Sequence, residues 1–175
     1  LKKGCNSMNL IQLSKKYYIF LLVCFLFPFE LKPSNHKDII KINIDGKNRT
    51  YYHLGKNEEL IYTFENQGIK DLSERFSLKT ISRTVIASNS NSNKTFGIKL
   101  DIYQGKELLE SEELTYNKIV SEATSDSKLG WNFTKAGFWF HELNDLKDKI
   151  IKISLIKGSP EVELKLICDQ IKLRS

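Results

Sequence analysis

Groups that could ligate a metal ion or transfer protons are widely spaced in this 175-residue sequence. The three histidines, His36, His53 and His141, form no HxH or HExxH pattern, and the chain has no CxxC. Carboxylates are denser, and such groups could flank a sugar or hold Ca²⁺. They are Glu58, Glu59, Glu107, Glu110, Glu112 and Glu113. Their spacing does not fix them around one point, and exposed charge on a strand also explains them. We predict no catalytic residues, no metal site and no cofactor.

Covalent catalysis has equally little support. The sequence contains no GxSxG elbow and no glycine-rich phosphate loop. Cys168 is the one cysteine beyond the first 33 residues, and it follows two apolar residues at the end of a predicted strand. We expect it to be a buried, unreactive thiol. The alternative is an exposed thiol that pairs with another chain.

Aromatic residues are the most informative feature, since WNF and FWFH occur within eleven residues. Strand alternation would place Phe138 and Phe140 on one face of a strand. Trp139 and His141 would then lie on the other face. One face should join the core, while the other could expose a flat ring to a sugar or a peptide. We therefore name Trp131, Trp139 and His141 as candidate ligand-binding residues. The alternative is that Trp139 covers the end of the core or a neighbouring strand.

The net charge of +6 does not indicate a nucleic-acid-binding protein. Five of the 27 basic residues and one of the 21 acidic residues precede Ser34, which leaves 22 basic and 20 acidic residues from there onward. In that later part the charges alternate in sign, as in EVELK at 161–165, which is typical of the solvated face of a sheet. A nucleic-acid partner would call for a continuous basic patch. We predict that nucleic acid is not a partner.

The first 33 residues resemble an export signal. Lys15 and Lys16 precede thirteen residues without charge, and a basic flank followed by a short apolar run is typical of a secretory signal peptide. The small residues that signal peptidase prefers are missing after the run, so a retained membrane anchor over residues 17–31 is the alternative. Lipidation at Cys24 is a third interpretation, although Val23 departs from the usual small residue before the cysteine. We predict a secreted, periplasmic or cell-surface protein, with membrane contact only through this segment.

The remaining sequence, residues 34–175, reads as strands. Apolar residues alternate with polar ones at 40–44, 96–102, 151–155 and 162–166, which gives one apolar and one polar face per segment. Turn signals separate such runs, and Asp45-Gly46 is a strong hairpin signal. About eight or nine strands at this spacing predict a single all-β domain. We expect an antiparallel β-sandwich, jelly-roll or immunoglobulin-like, after the N-terminal segment 1–33.

Two functions fit these observations. The first is an exported, non-catalytic β-sandwich that acts in binding, adhesion or cell-surface and envelope assembly, with a protein or carbohydrate partner. The second is a carbohydrate-binding module that uses exposed aromatic residues. Three N-x-[ST] sequons, at Asn48, Asn93 and Asn132, would be glycan acceptors in a eukaryotic secretory pathway and would mean nothing in a bacterium.

Overall fold

The computed structural model describes residues 28–35 and 38–171, and within these ranges the chain forms thirteen β-strands and one 3₁₀ turn, Asp126–Lys128. The strands are β1 (Phe29–Leu31), β2 (Ile39–Ile44), β3 (Lys47–Leu54), β4 (Glu59–Thr63), β5 (Phe76–Arg83), β6 (Val85–Ala87), β7 (Lys94–Gln104), β8 (Glu107–Lys118), β9 (Val120–Thr124), β10 (Trp131–Thr134), β11 (Gly137–Leu143), β12 (Lys149–Leu155) and β13 (Val162–Gln170).

All ladders among the described strands are antiparallel, and they form two sheets. The larger sheet has nine strands in the order β11-β5-β13-β3-β2-β9-β10-β6, with β1 beside β13. The smaller sheet has the order β4-β12-β7-β8. Asp45 and Gly46 both have positive φ, at 52° and 75°, so the predicted tight turn joins β2 to β3.

The two sheets confirm the predicted all-β antiparallel sandwich. Alternate residues of β5, β13 and β11 face alternate residues of β7 and β12, and the buried side chains between the sheets form one continuous cluster. Leu164 of the larger sheet and Ile98 of the smaller one are fully buried there. Each such side chain contributes about 1.5–3 kcal/mol to stability through removal of apolar surface from water.

The structure has thirteen strands where eight or nine were expected. Four of the additional strands, β1, β6, β9 and β10, contain only three to five residues. A strand of that length carries too few residues to show a period of two. The segment 116–128 contains the end of β8, all of β9 and the 3₁₀ turn.

The larger sheet curls into a ring. Strands β5 and β6 are separated in the chain by Thr84 alone, yet β6 lies at the far end of the hydrogen-bonding order from β5. The ring closes where the Thr134 N–H donates to the Thr84 carbonyl at 3.0 Å. A second core fills it, made of Ile40, Ile42, Tyr51, Ala123 and Phe133 with Ile44, Ile81 and Val85 against them.

Because the larger sheet curls, the expectation that the charged residues of EVELK at 161–165 lie on a solvated face is wrong for two of them. The EVELK segment was predicted to form a solvated sheet face, but the Glu163 and Lys165 side chains are buried inside the ring, at 2% and 7% exposure. They lie on the face of β13 opposite to the sandwich core, and the neighbouring strands bend over that face. Lys165 Nζ lies 3.4 Å from Glu30 Oε2 and 5.4 Å from the Tyr51 ring centroid.

The sheet also includes residues that were assigned to the N-terminal segment. Strand β1 pairs with β13, and Leu31 is fully buried in the sandwich core. Residues 29–31 therefore belong to the larger sheet. Residues 1–27, with Lys15, Lys16 and Cys24, lie outside the described residues, as does His36. No helix in the described ranges has the length and apolar character needed to span a membrane.

We predict that Leu31→Ala destabilises the protein by about 2–5 kcal/mol, because it removes a fully buried side chain and leaves a cavity against β13. Phe29→Ala on the same strand is the matched control, since Phe29 is 40% exposed. Urea unfolding of the full chain measures both. Equal losses in the two variants would contradict the assignment of β1 to the core.

Candidate functional site

Trp139 and His141 close one edge of the sandwich. Both project from β11, at the edge of the larger sheet, toward β8 of the smaller sheet, and their rings stack with centroids 5.2 Å apart. Trp139 Nε1 donates to Glu112 Oε2 at 2.7 Å, and His141 Nε2 lies 3.4 Å from Glu110 Oε2. Trp139 is only 6% exposed, so its indole covers the core.

Two of the glutamates considered above as possible ligands, Glu110 and Glu112, form these contacts. Glu110 and Glu112 face ring nitrogens of His141 and Trp139 across the edge. In the described part of the chain, no group of three or more His, Cys, Asp or Glu residues could hold a metal ion. The arrangement therefore explains the two glutamates as partners of the Trp139 and His141 rings.

The opposite face of β11 exposes its aromatic residues. Phe138 is 49% and Phe140 64% exposed, and their ring centroids are 6.5 Å apart. Lys79 Nζ lies 4.8 Å and 5.2 Å from the two centroids, within cation–π range. The alternation predicted from the sequence is correct, but the phenyl rings are the exposed pair and the indole is the covered one. We call Phe138, Phe140 and Lys79 the phenylalanine patch.

Strand β11 also presents an unpaired edge. Among the described residues its only ladder is with β5. Backbone N–H and C=O groups along the other side of such a strand can pair with a strand of another molecule. The phenylalanine patch thus lies directly beside an edge that can accept a further strand.

Trp131 lies apart from Trp139, at the start of β10. It is 48% exposed and borders a shallow depression of about 210 Å³. Asp126, Lys128 and Leu129 line the same depression. An exposed indole beside a carboxylate and an ammonium group can stack on a sugar ring and hydrogen-bond its hydroxyls. Trp131 thus forms a possible site of its own on β10, apart from the Trp139–His141 pair on β11.

The three sequons differ in their surroundings. Asn48 and Asn93 are exposed, Asn48 on β3 and Asn93 in the loop before β7. Asn132 is half-buried, and its Nδ2 donates to the Ser121 carbonyl at 2.7 Å. Because a glycan would be attached to that nitrogen, a modified Asn132 would lose this hydrogen bond.

Cys168 is fully buried in the sandwich core, as expected from the sequence. Burial raises the pKa of its thiol to about 12, and Asp169 adds to the rise. A thiol with so little thiolate is a poor nucleophile.

A buried carboxylate was missed by the sequence analysis. Glu163 Oε1 lies 3.0 Å from His53 Nδ1 across the β3–β13 ladder, and its Oε2 has no hydrogen-bond partner within the described residues. Burial raises the pKa of Glu163, while its hydrogen bond and charge interaction with His53 and the charge of Lys128 act to lower it. Only knowledge of the curl could have distinguished this glutamate from an exposed one.

Comparison with known proteins finds structural likeness to solved structures. No family model matches the chain, and no curated protein matches it. Among solved structures, the chain is similar to the binding domain of botulinum neurotoxin serotype G, with a TM-score of 0.34 and 14% identity, over 84% of this chain and 44% of that one. The chain thus spans less than half the length of that structure.

The buried carboxyl predicts a pH dependence of stability. Because the folded-state pKa of Glu163 exceeds the unfolded value of about 4.3, the folded state holds this proton more tightly. The tighter binding of this proton stabilises the folded protein fully below the pKa that Glu163 has in the unfolded state. This stabilisation is lost as the pH rises through the pKa that Glu163 has in the folded state. In Glu163→Gln this loss should disappear, so the variant gains stability relative to the wild type as the pH rises.

Urea unfolding between pH 4 and 8 measures this difference. Glu161→Gln is the control, because Glu161 is half exposed and lies 3.7 Å from the same histidine. Parallel stability curves for wild type and Glu163→Gln across that range would contradict the prediction.

Proposed function

We propose that this protein is an exported, non-catalytic binding module that acts in adhesion or assembly at a cell surface or envelope. The observation that carries the proposal is the phenylalanine patch beside the unpaired edge of strand β11. Two adjacent phenyl rings exposed by 49% and 64% are costly on a monomer surface unless a partner covers them. The export signal predicted for residues 1–33 supports the location.

Three glutamates that could have served catalysis have structural partners. Glu110 and Glu112 contact His141 and Trp139, and Glu163 contacts His53 inside the ring. A general acid or base must instead reach a substrate in an accessible cleft. This distribution supports binding over catalysis.

The partner that fits β11 best is an extended segment of another protein. Adding a strand to a sheet edge gives affinity through backbone hydrogen bonds and specificity through alternate side chains. Phe138 and Phe140 are two residues apart and so present one face to alternate side chains of such a strand. Lys79, which lies over both rings, would favour an acidic residue in that segment.

We expect the labelled full chain to bind envelope or surface fractions from cells that produce it, with binding abolished by protease. Phe138→Ala/Phe140→Ala should weaken this binding by about tenfold or more, as for central aromatic contacts. Leu108→Ala/Leu109→Ala is the matched control, because it removes two leucines of similar exposure on β8.

Equal losses of binding in the two double variants would contradict the role of the patch. A cytosolic location of the native protein, or turnover of a glycoside, ester or peptide panel by the purified chain, would overturn the wider proposal.

A second candidate function is carbohydrate binding at Trp131. The observation that favours it is the depression beside the exposed indole, with Asp126 and Lys128 in its lining. Flat stacking of a sugar on the indole would give affinity, and the charged groups would select hydroxyl positions. Trp139 is a poor platform in this proposal because its indole is covered and hydrogen-bonded to Glu112.

Tryptophan fluorescence tests this candidate, since the chain has two tryptophans. In Trp139→Phe the remaining indole is Trp131, and a panel of oligosaccharides should change its emission. Trp131→Phe, the control, should show no change and no binding. Sugar recognition at this position would be contradicted if Trp131→Phe still bound the oligosaccharides. It would also be contradicted if envelope material treated with periodate, which destroys sugar rings, bound the protein as well as untreated material.

A further inference from the structure

Two turns of the sandwich and the start of β7 bring three lysines to one depression. Lys56 lies in the turn between β3 and β4, Lys94 begins β7, and Lys157 lies in the turn between β12 and β13. All three line a depression of about 640 Å³, and among the described residues no acidic one lines it with them. We call it the lysine depression.

The turns are held in place before any ligand arrives. Ser159 Oγ accepts from the Gly97 N–H at 2.9 Å and donates to the Pro160 carbonyl at 3.0 Å, which ties the β12–β13 turn to β7. Gly97 permits this close approach, because a Cβ there would lie 2.8 Å from the Leu114 carbonyl oxygen and against the Ile156 side chain. Lys94 Nζ donates to the Val85 carbonyl, so its ammonium group is also fixed.

Two of the three lysines in the depression are not engaged in ion pairs within the described residues. Lys56 and Lys157 are exposed, and neither forms an ion pair with a described residue. The acidic residues nearest in sequence have other partners: Glu58 Oε2 accepts the Gly55 N–H at 2.8 Å, and Glu161 faces His53. By contrast, the buried lysines Lys149 and Lys165 each have a carboxylate partner.

The shape and chemistry of the lining select a class of ligand. A volume of about 640 Å³ exceeds what a single sulfate or phosphate ion would fill. Lysines act as point charges without the fork that arginine offers to one oxyanion, so three of them suit several spaced anionic groups. Asn57, Thr95 and Ser159 add neutral polar groups to the lining. No aromatic ring lines the depression, so a nucleobase would have no surface on which to stack.

We propose that the lysine depression binds a polysaccharide through sulfate or phosphate groups carried on its sugar units. The site uses none of the residues of the phenylalanine patch or of the Trp131 depression, so it is independent of both candidate functions above. Its lysines would meet the anionic groups, while its amide and hydroxyl side chains would meet the sugar hydroxyls.

The test uses a heparin oligosaccharide as the probe and the full chain with Lys56→Glu/Lys157→Glu as the variant. We expect affinity to fall by about tenfold or more, and the salt dependence of binding to become shallower, because fewer counterions are displaced. Lys56→Arg/Lys157→Arg keeps the charge and should keep the affinity. Circular dichroism before and after heating checks that each variant folds.

Lys106→Glu/Lys147→Glu is the matched control. These two exposed lysines lie on neighbouring turns at the other end of the eleven-residue strand β7, about 30 Å away. The control makes the same change in net charge, so it should alter affinity by no more than about twofold. Equal losses in the two reversed pairs would show that net charge alone drives binding and would overturn the proposal.

Further probes separate the sources of the anionic group. A desulfated oligosaccharide of the same length should not bind, and inorganic sulfate should compete only weakly because it fills one part of the depression. If inorganic sulfate or phosphate alone binds as tightly as the oligosaccharide, the site takes a free ion and the polysaccharide assignment is wrong. Preferential binding of a single-stranded oligonucleotide or of vesicles with anionic lipid would likewise overturn it.

Discussion

The larger sheet must bend because one continuous segment of backbone, residues 76–87, supplies two strands that stand far apart in its hydrogen-bonding order. Only Thr84 separates β5 from β6, so the strands between them have to curve until the two ends meet. That curvature encloses the second core and buries Glu163 and Lys165. Strand β11 lies beyond β5, outside the ring, and this is why one face of it remains in solvent.

The sequence predicted the elements better than their arrangement. Alternation at 96–102 and 162–166 located β7 and β13, and the Asp45-Gly46 turn was placed correctly, because period and turn chemistry are local properties. The ring was not predictable, since it depends on which distant strands pair. For that reason EVELK resembled an exposed strand, although the Glu163 and Lys165 side chains lie in an enclosed space.

In the aromatic segment, too, the local pattern was predictable from the sequence and the contacts with distant strands were not. Alternation assigned Phe138 and Phe140 to one face and Trp139 to the other, as observed. Which face is covered depends on Glu110 and Glu112, which come from a strand in the other sheet. An indole has an N–H that needs an acceptor when buried, and Glu112 supplies it. A phenyl ring has no such requirement, and the two phenyl rings lie outside.

Strand β13 occupies the centre of the larger sheet, between β5 on one side and β3 and β1 on the other. None of these three ladders can form until residues 162–170 have left the ribosome, although their partners are made much earlier. The contacts that define the fold are therefore distant in sequence, and pairing of this kind is slow. A chain with such connectivity leaves β3 and β5 without their shared neighbour until its last strand has been made.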